Sequence, residues 1–259
     1  MEIALTSHGI ASRLTITSFH SKIALSPPRS KEHSMKNLAC DSLVSFINPL
    51  LKEGKKHLLF RGERLASRTL IPKVGRVKDT FGKYITESVE KTMLTRFLKR
   101  ASGYNVEIPL KITEALMVAQ HHGLPTRLLD FTTNPLVALF FSVERFSKDS
   151  DGDSVVYVYD ETTFDWADTI EDPFKITKNV VLSPYYLHKR MHNQQSRFMI
   201  VAKPNEEIKD SKIRKIIISC AARKTIKREL NICGVNKMNL FDSLDSVSEF
   251  IEWGMTDSH

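Results

Sequence analysis

Cysteine is scarce in this chain, and its placement excludes two classes of protein at once. Cys40, Cys220 and Cys233 are the only three among 259 residues, and no two of them form a Cys-x-x-Cys pair. Neither a disulfide framework nor a cysteine zinc site is expected from them. Long apolar runs are also missing. The most apolar stretch, 136–143, is far shorter than the roughly 18 to 20 residues that a membrane helix needs. A protein that does not cross a membrane and works in a reducing, cytoplasmic compartment is expected. The chain has no internal repeat and no RNA-recognition or zinc-finger pattern. Acidic residues are rare at the start: 1–34 carries only Glu2 and Glu32, among many Ser, Thr and His and the pair Pro27-Pro28. Such a segment predicts an unstructured extension. Its Arg- and Ser-rich, acid-poor character resembles a transit peptide, but translation beginning upstream of a true start at Met35 explains it equally well and is the reading adopted. One domain, 35–259, follows.

Apolar residues make up 41% of the chain, enough for a sizeable core. The formal charge of +8 suits phosphates, whether on nucleotides or on nucleic acids. The charge is spread, however. Its denser clusters, such as Lys52-Glu53-Gly54-Lys55-Lys56 and Arg223-Lys224-Thr225-Ile226-Lys227-Arg228, are short and interrupted, and read best as solvated surface.

Periodicity gives an amphipathic helix over about 35–51 and a short strand at 58–60 that stops at Arg61-Gly62-Glu63. Helices are expected at about 84–101 and 109–121, the second ended by Gly123. The stretch 120–135 reads as loop, short strand over 128–131, then a helix capped by Thr133 or Asn134 with Pro135 at its first position. Strands are expected near 154–159, 197–202 and 213–219, with helices near 221–233 and 244–253. The sum is an α+β fold in a single domain, with a split mixed or antiparallel sheet flanked by helices.

Several polar residues fall where chemistry could occur. Arg61 at a strand end can fork onto a pyrophosphate or carboxylate, with Gly62 permitting close approach; alternatively it is a structural arginine paired with Glu63 or Asp130. His121 and His122 follow a helix and can bind a substrate or move a proton. His188 and His192 have i, i+4 spacing but no acidic partner, so no metal is expected. Arg127 and Asp130 read as an internal ion pair that fixes the loop. Pro125 and Pro135 read as structural. Thr132, Thr133 and Asn134 can cap a helix or bind a ribose or phosphate. Asn193, Gln194 and Gln195 offer amides at another strand entry, or form a polar turn.

Phe60-Arg61-Gly62-Glu63, Leu70-Ile71-Pro72, the string from Ala119 through Gln120-His121-His122-Gly123-Leu124-Pro125-Thr126-Arg127-Leu128-Leu129-Asp130-Phe131-Thr132-Thr133-Asn134-Pro135, and Ala138-Leu139-Phe140-Phe141 resemble the FRG domain family in order and spacing. Gln195, Phe198 and the segment from Gly234-Val235 to Leu240-Phe241-Asp242-Ser243-Leu244-Asp245 extend the resemblance to roughly 55–250. Asp242 stands where the family has proline, and Phe131 where it often has tryptophan. The resemblance implies a bacterial or phage setting.

A more distant likeness is to ADP-ribosyltransferases. It implies NAD as a substrate, Arg61 on the pyrophosphate or nicotinamide ribose, Thr132 or Thr133 shaping the nicotinamide pocket, and Gln195 near the ribose 2′-hydroxyl. Gln195 stands where those enzymes carry a glutamate, and an amide lacks the charge that stabilises a developing cation. The expected site is a cleft lined by Arg61, His121, Arg127, Thr132, Thr133 and Gln195 that binds NAD or another phosphorylated ligand. The other reading is a non-enzymatic module that binds nucleic acid or protein through its basic surface.

Overall fold

The computed structural model describes residues 38–54, 57–104, 108–144, 152–160, 165–166, 169–185 and 188–256. The expected extension over 1–34 lies outside the described residues. Among the described residues eight strands form one mixed sheet: β1 (Leu38–Cys40), β2 (Leu58–Glu63), β3 (Leu128–Thr132), β4 (Ser154–Asp160), β5 (Asp165–Trp166), β6 (Val180–Ser183), β7 (Ser196–Ile200) and β8 (Ile213–Ile218). Their order across the sheet is β1-β8-β4-β2-β3-β7-β6-β5. The β1–β8 and β5–β6 pairs are parallel and the rest antiparallel. The α+β class and the mixed sheet agree with the expectation from sequence.

The centre of the sheet is open. β2 pairs with β4 along its whole length, from Leu58 to Glu63, and β3 pairs with β7 along all of its own, from Leu128 to Thr132. Between β2 and β3, however, the ladder consists of Phe60 opposite Thr132. Two mixed lobes are thus joined at one residue pair among the described residues, and the strands splay beyond it. Backbone groups at such a split need other partners, and Arg61 supplies one: its Nη1 donates to the Asp130 carbonyl at 2.7 Å.

The helices are α1 (Leu43–Glu53), α2 (Lys73–Arg76), α3 (Glu87–Ala101), α4 (Ile112–His121), α5 (Pro135–Val143), α6 (Lys189–Asn193), α7 (Arg223–Ile232), α8 (Lys237–Leu240) and α9 (Leu244–Thr256). The helix expected to begin near residue 35 begins at Leu43 instead, because the preceding Leu38–Cys40 pairs with β8. Among the described residues no helix is long and apolar enough to cross a membrane.

Among the described residues three apolar clusters form the core. The first packs Phe46 of α1, Leu139 and Phe140 of α5 and Ile226 of α7 against one face of the β1-β8-β4-β2 lobe. The second packs Leu94 of α3 and Leu116 of α4 against Leu128, Phe198 and Ile200 in the other lobe. The third runs beneath both lobes, joining Leu59, Leu129, Phe131, Tyr157 and Met199. Alternation of side chains along each strand explains the division. Helices cover one side, with a gap between α4 and α5 directly above the split.

α5 is set by local signals. Asn134 caps it by accepting from Leu136 N at 2.9 Å, and Pro135 occupies its first turn, where a missing N–H costs nothing. It lies close on β2 because residue 62 is glycine: a Cβ there would sit 1.9 Å from the Ala138 carbonyl oxygen. Gly62 was expected to let a ligand approach the backbone. What approaches it is a helix. At the end of α4, Gly123 adopts φ +88°, the left-handed region that suits glycine, and turns the chain back toward β3.

Candidate functional site

A cleft of about 460 Å³ opens where the sheet splits. Its floor is made by Phe60, Arg61, Gly62, Asp130 and Thr132. α4 contributes Met117, Gln120 and His121 to one wall, and α5 contributes Ala138, Phe141 and Glu144 to the other. Arg190, Met191 and Gln194, from α6 and the turn after it, close one end, while Glu63, Arg64 and Arg68 lie at the other side of the split. Strand alternation sends Arg61 and Thr132 to opposite faces, since Phe60 and not Arg61 stands opposite Thr132. They share the cleft because the strands part at that point.

Arg61 lies within β2, not at a strand end as its neighbours suggested, since the strand continues to Glu63. Its guanidinium holds Glu63 through Nε at 3.0 Å and Nη2 at 2.6 Å, and it stands 3.8 Å from the Asp130 carboxylate. Burial works against charge on Glu63, but Arg61, followed by Arg68, holds its carboxyl below the ordinary range. Arg61 therefore bridges β2 and β3 at the split. Both structural partners foreseen for it, Glu63 and Asp130, are engaged.

The expected ion pair between Arg127 and Asp130 is replaced by a different one. Arg127 is buried and bonds through Nη2 to Glu90 Oε2 at 2.8 Å, through Nε to both oxygens, and through its backbone N–H to Oε1 at 3.0 Å. Its plane also lies 4.4 Å from the Phe174 ring centre. Arg127 precedes the first residue of β3, and its side chain turns to Glu90 of α3 and to the Phe174 ring. Asp130 is left as the one exposed residue of β3.

Thr132 is at the cleft, but its hydroxyl is committed: it donates to the Gln194 carbonyl at 2.7 Å and accepts from Asn134 N at 3.0 Å. Thr133 lies outside the cleft wall, with its N–H bonded to the Gln195 carbonyl and its hydroxyl to Gln195 Oε1, each at 3.2 Å. Gln195 is exposed, has φ +47°, and forms the polar turn between α6 and β7. Arg127, Thr133 and Gln195 thus lie outside the walls of the cleft in which they were expected. His122 and Asn134 also lie outside it, and Asn134 serves as the cap of α5. Pro125 lies in the α4–β3 loop, which Lys73 Nζ secures by donating to the Gly123 carbonyl at 2.7 Å.

His121 stacks on His188 with ring centres 4.6 Å apart. Burial, and then His188, Arg190 and His122, push its pKa down to about 4. It is neutral near pH 7 and brings no positive charge to the cleft. His188 occupies the N-cap of α6, and among the described residues no three His, Cys, Asp or Glu side chains are grouped as a metal-ligand set.

No local pattern in the chain singles out Arg190. It projects from α6 into the cleft and lies 4.5 Å from the ring centre of Phe241. Burial pushes its guanidinium below the ordinary range, opposed by Asp130 and Glu144. Neither carboxylate is within ion-pair distance, and among the described residues no hydrogen bond holds the guanidinium. The only available hint was Phe241, an aromatic in a polar tail. Its partner lies some fifty residues upstream, beyond the reach of any local pattern.

An open sheet joined at one residue pair, with arginines at both sides of the opening, defines an α+β domain with a central cationic cleft. Residues 56–151 match the model of the FRG domain, and the chain carries an FRG domain. The match runs from β2 through α5, so it includes Arg61, Asp130 and Thr132 but ends before Arg190, Gln195 and the tail segment. No curated protein and no solved structure matches the chain.

Proposed function

We propose that this FRG domain binds a phosphorylated nucleotide, NAD foremost, in the cleft between β2 and β3. The observation that carries the reading is Arg190, a half-buried guanidinium stacked on Phe241 that faces the cleft with no ion-pair partner among the described residues. A charge removed from water calls for an opposite charge, and a planar guanidinium suits phosphate oxygens through paired hydrogen bonds. Arg64 and Arg68 add positive charge at the far side. Phe141 and Phe198 offer apolar surface for a flat ring, and a volume of about 460 Å³ is in the range of small-molecule sites.

A binding function asks less of the cleft than a transferase would. In the ADP-ribosyltransferase likeness a carboxylate would meet the ribose, yet Gln195 stands outside the cleft. The carboxylates that do line it are Glu63, Asp130 and Glu144. Arg61 clamps Glu63, and Lys237 holds Glu144 at 2.9 Å.

Calorimetric titration of NAD tests the proposal. The wild-type protein is expected to bind, and Arg190→Ala to weaken binding by about 10- to 100-fold, the span of a charge-assisted hydrogen bond. No binding by wild type at millimolar NAD would retire the nucleotide reading. Steeply salt-dependent binding of oligonucleotides, indifferent to Arg190, would then support a nucleic-acid module.

A further inference from the structure

The cleft has a second pole, chemically opposite to Arg190. β3 is buried at Leu128, Leu129, Phe131 and Thr132, and only Asp130 is exposed. A carboxylate in the middle of a central strand needs a reason, and the pair with Arg127 is not the reason, because Arg127 belongs to Glu90. Asp130 is oriented by its own neighbours. Gln120 Nε2 donates to Oδ1 at 2.7 Å, and Gln120 is itself fixed by accepting from the Thr126 hydroxyl through Oε1. Arg61 holds the Asp130 carbonyl at 2.7 Å and stands 3.8 Å from Oδ2. One carboxylate oxygen is therefore committed, and the other has only a distant ionic neighbour.

We infer that Asp130 recognises the sugar of the bound ligand, accepting hydroxyl hydrogen bonds through Oδ2 while Arg190 takes the adjoining phosphate. The inference rests on the nucleotide reading of the cleft and narrows it to ligands that carry a ribose. An ionised carboxylate accepts and never donates, so it repels phosphate oxygens and attracts hydroxyl groups. Arg190 and Asp130 both line this one cleft and are close enough to influence each other's charge. A ligand satisfying both must place hydroxyls beside a phosphate, as a ribosyl phosphate does. Gln120 and Arg61 are then positioning residues, acting on the ligand through Asp130.

The test compares ADP-ribose with inorganic pyrophosphate as calorimetric titrants of the full chain. Asp130→Ala is expected to weaken ADP-ribose by about 10- to 100-fold and to leave pyrophosphate unchanged or tighter. Asp130→Asn keeps an acceptor for Gln120 and decides the matter if the alanine variant fails to fold; it is expected to show the same selective loss. ADP-ribose bound by either folded variant within about twofold of wild type overturns the assignment, as does an equal loss of both titrants. Wild-type protein that binds pyrophosphate but not ADP-ribose overturns the sugar assignment alone. Binding of neither removes the nucleotide reading along with it.

Discussion

Replacing Arg127 by alanine is expected to lower the free energy of unfolding by about 3–5 kcal/mol, the range for removing one partner of a buried ion pair. Both members are nearly sealed from water, with side-chain exposures of 3% each. Arg127 also reaches the Pro173 carbonyl at 3.3 Å, so a single side chain ties α3, the start of β3 and the 173–174 segment together. The cost comes chiefly from leaving the Glu90 carboxylate buried and unpaired. Urea unfolding of Arg127→Met, Glu90→Leu and the double variant distinguishes this from loss of shape. Each single variant should be strongly destabilised, and the double should regain much of the loss. A single-variant effect below about 1 kcal/mol would show that the pair does not hold α3 to the start of β3.

Gly62→Ala is expected to cost at least about 3 kcal/mol, at or above the upper part of the range for overpacking. The added methyl would meet the Ala138 carbonyl oxygen at 1.9 Å and the Ser142 nitrogen at 2.7 Å, both backbone atoms that no rotamer change can move aside. β2 and α5 would have to part, distorting the floor and one wall of the cleft together. If Gly62 served ligand approach, the variant would keep its thermal midpoint and lose only binding. If it serves strand–helix contact, stability falls first, and the midpoint drops by several degrees.

The sequence and the fold agree where local rules act alone. Asn134-Pro135 announces a capped helix, and Gly123 announces a turn, because capping and left-handed backbone depend on immediate neighbours. The split in the sheet was legible as a class, but its place was not, since it depends on β2 and β3 diverging after the Phe60–Thr132 pair. Arg61 was found by its motif and misplaced by its setting: a strand with charge in its last half reads as though it has ended. The pairing of Arg127 was missed although a signal existed. Glu90 falls one turn before Leu94, on the apolar face of α3 with Phe97, Leu98 and Ala101, and an acid on a buried face demands a cation. Thr133 and Gln195 were joined to the cleft by their order in the chain, whereas the structure binds them to each other. Arg190 had no local signal, because its exceptional state arises from Phe241 and from a cleft assembled by five other elements.

The most direct measurement is a crystal structure of the protein with ADP-ribose. The ligand is expected above the Phe60–Thr132 pair, between α4 and α5, with a phosphate oxygen within about 3.2 Å of the Arg190 guanidinium and a ribose hydroxyl on Asp130. ADP-ribose lodged elsewhere on the surface, with Arg190 still stacked on Phe241 over an empty cleft, would contradict the assignment of that cleft to a nucleotide.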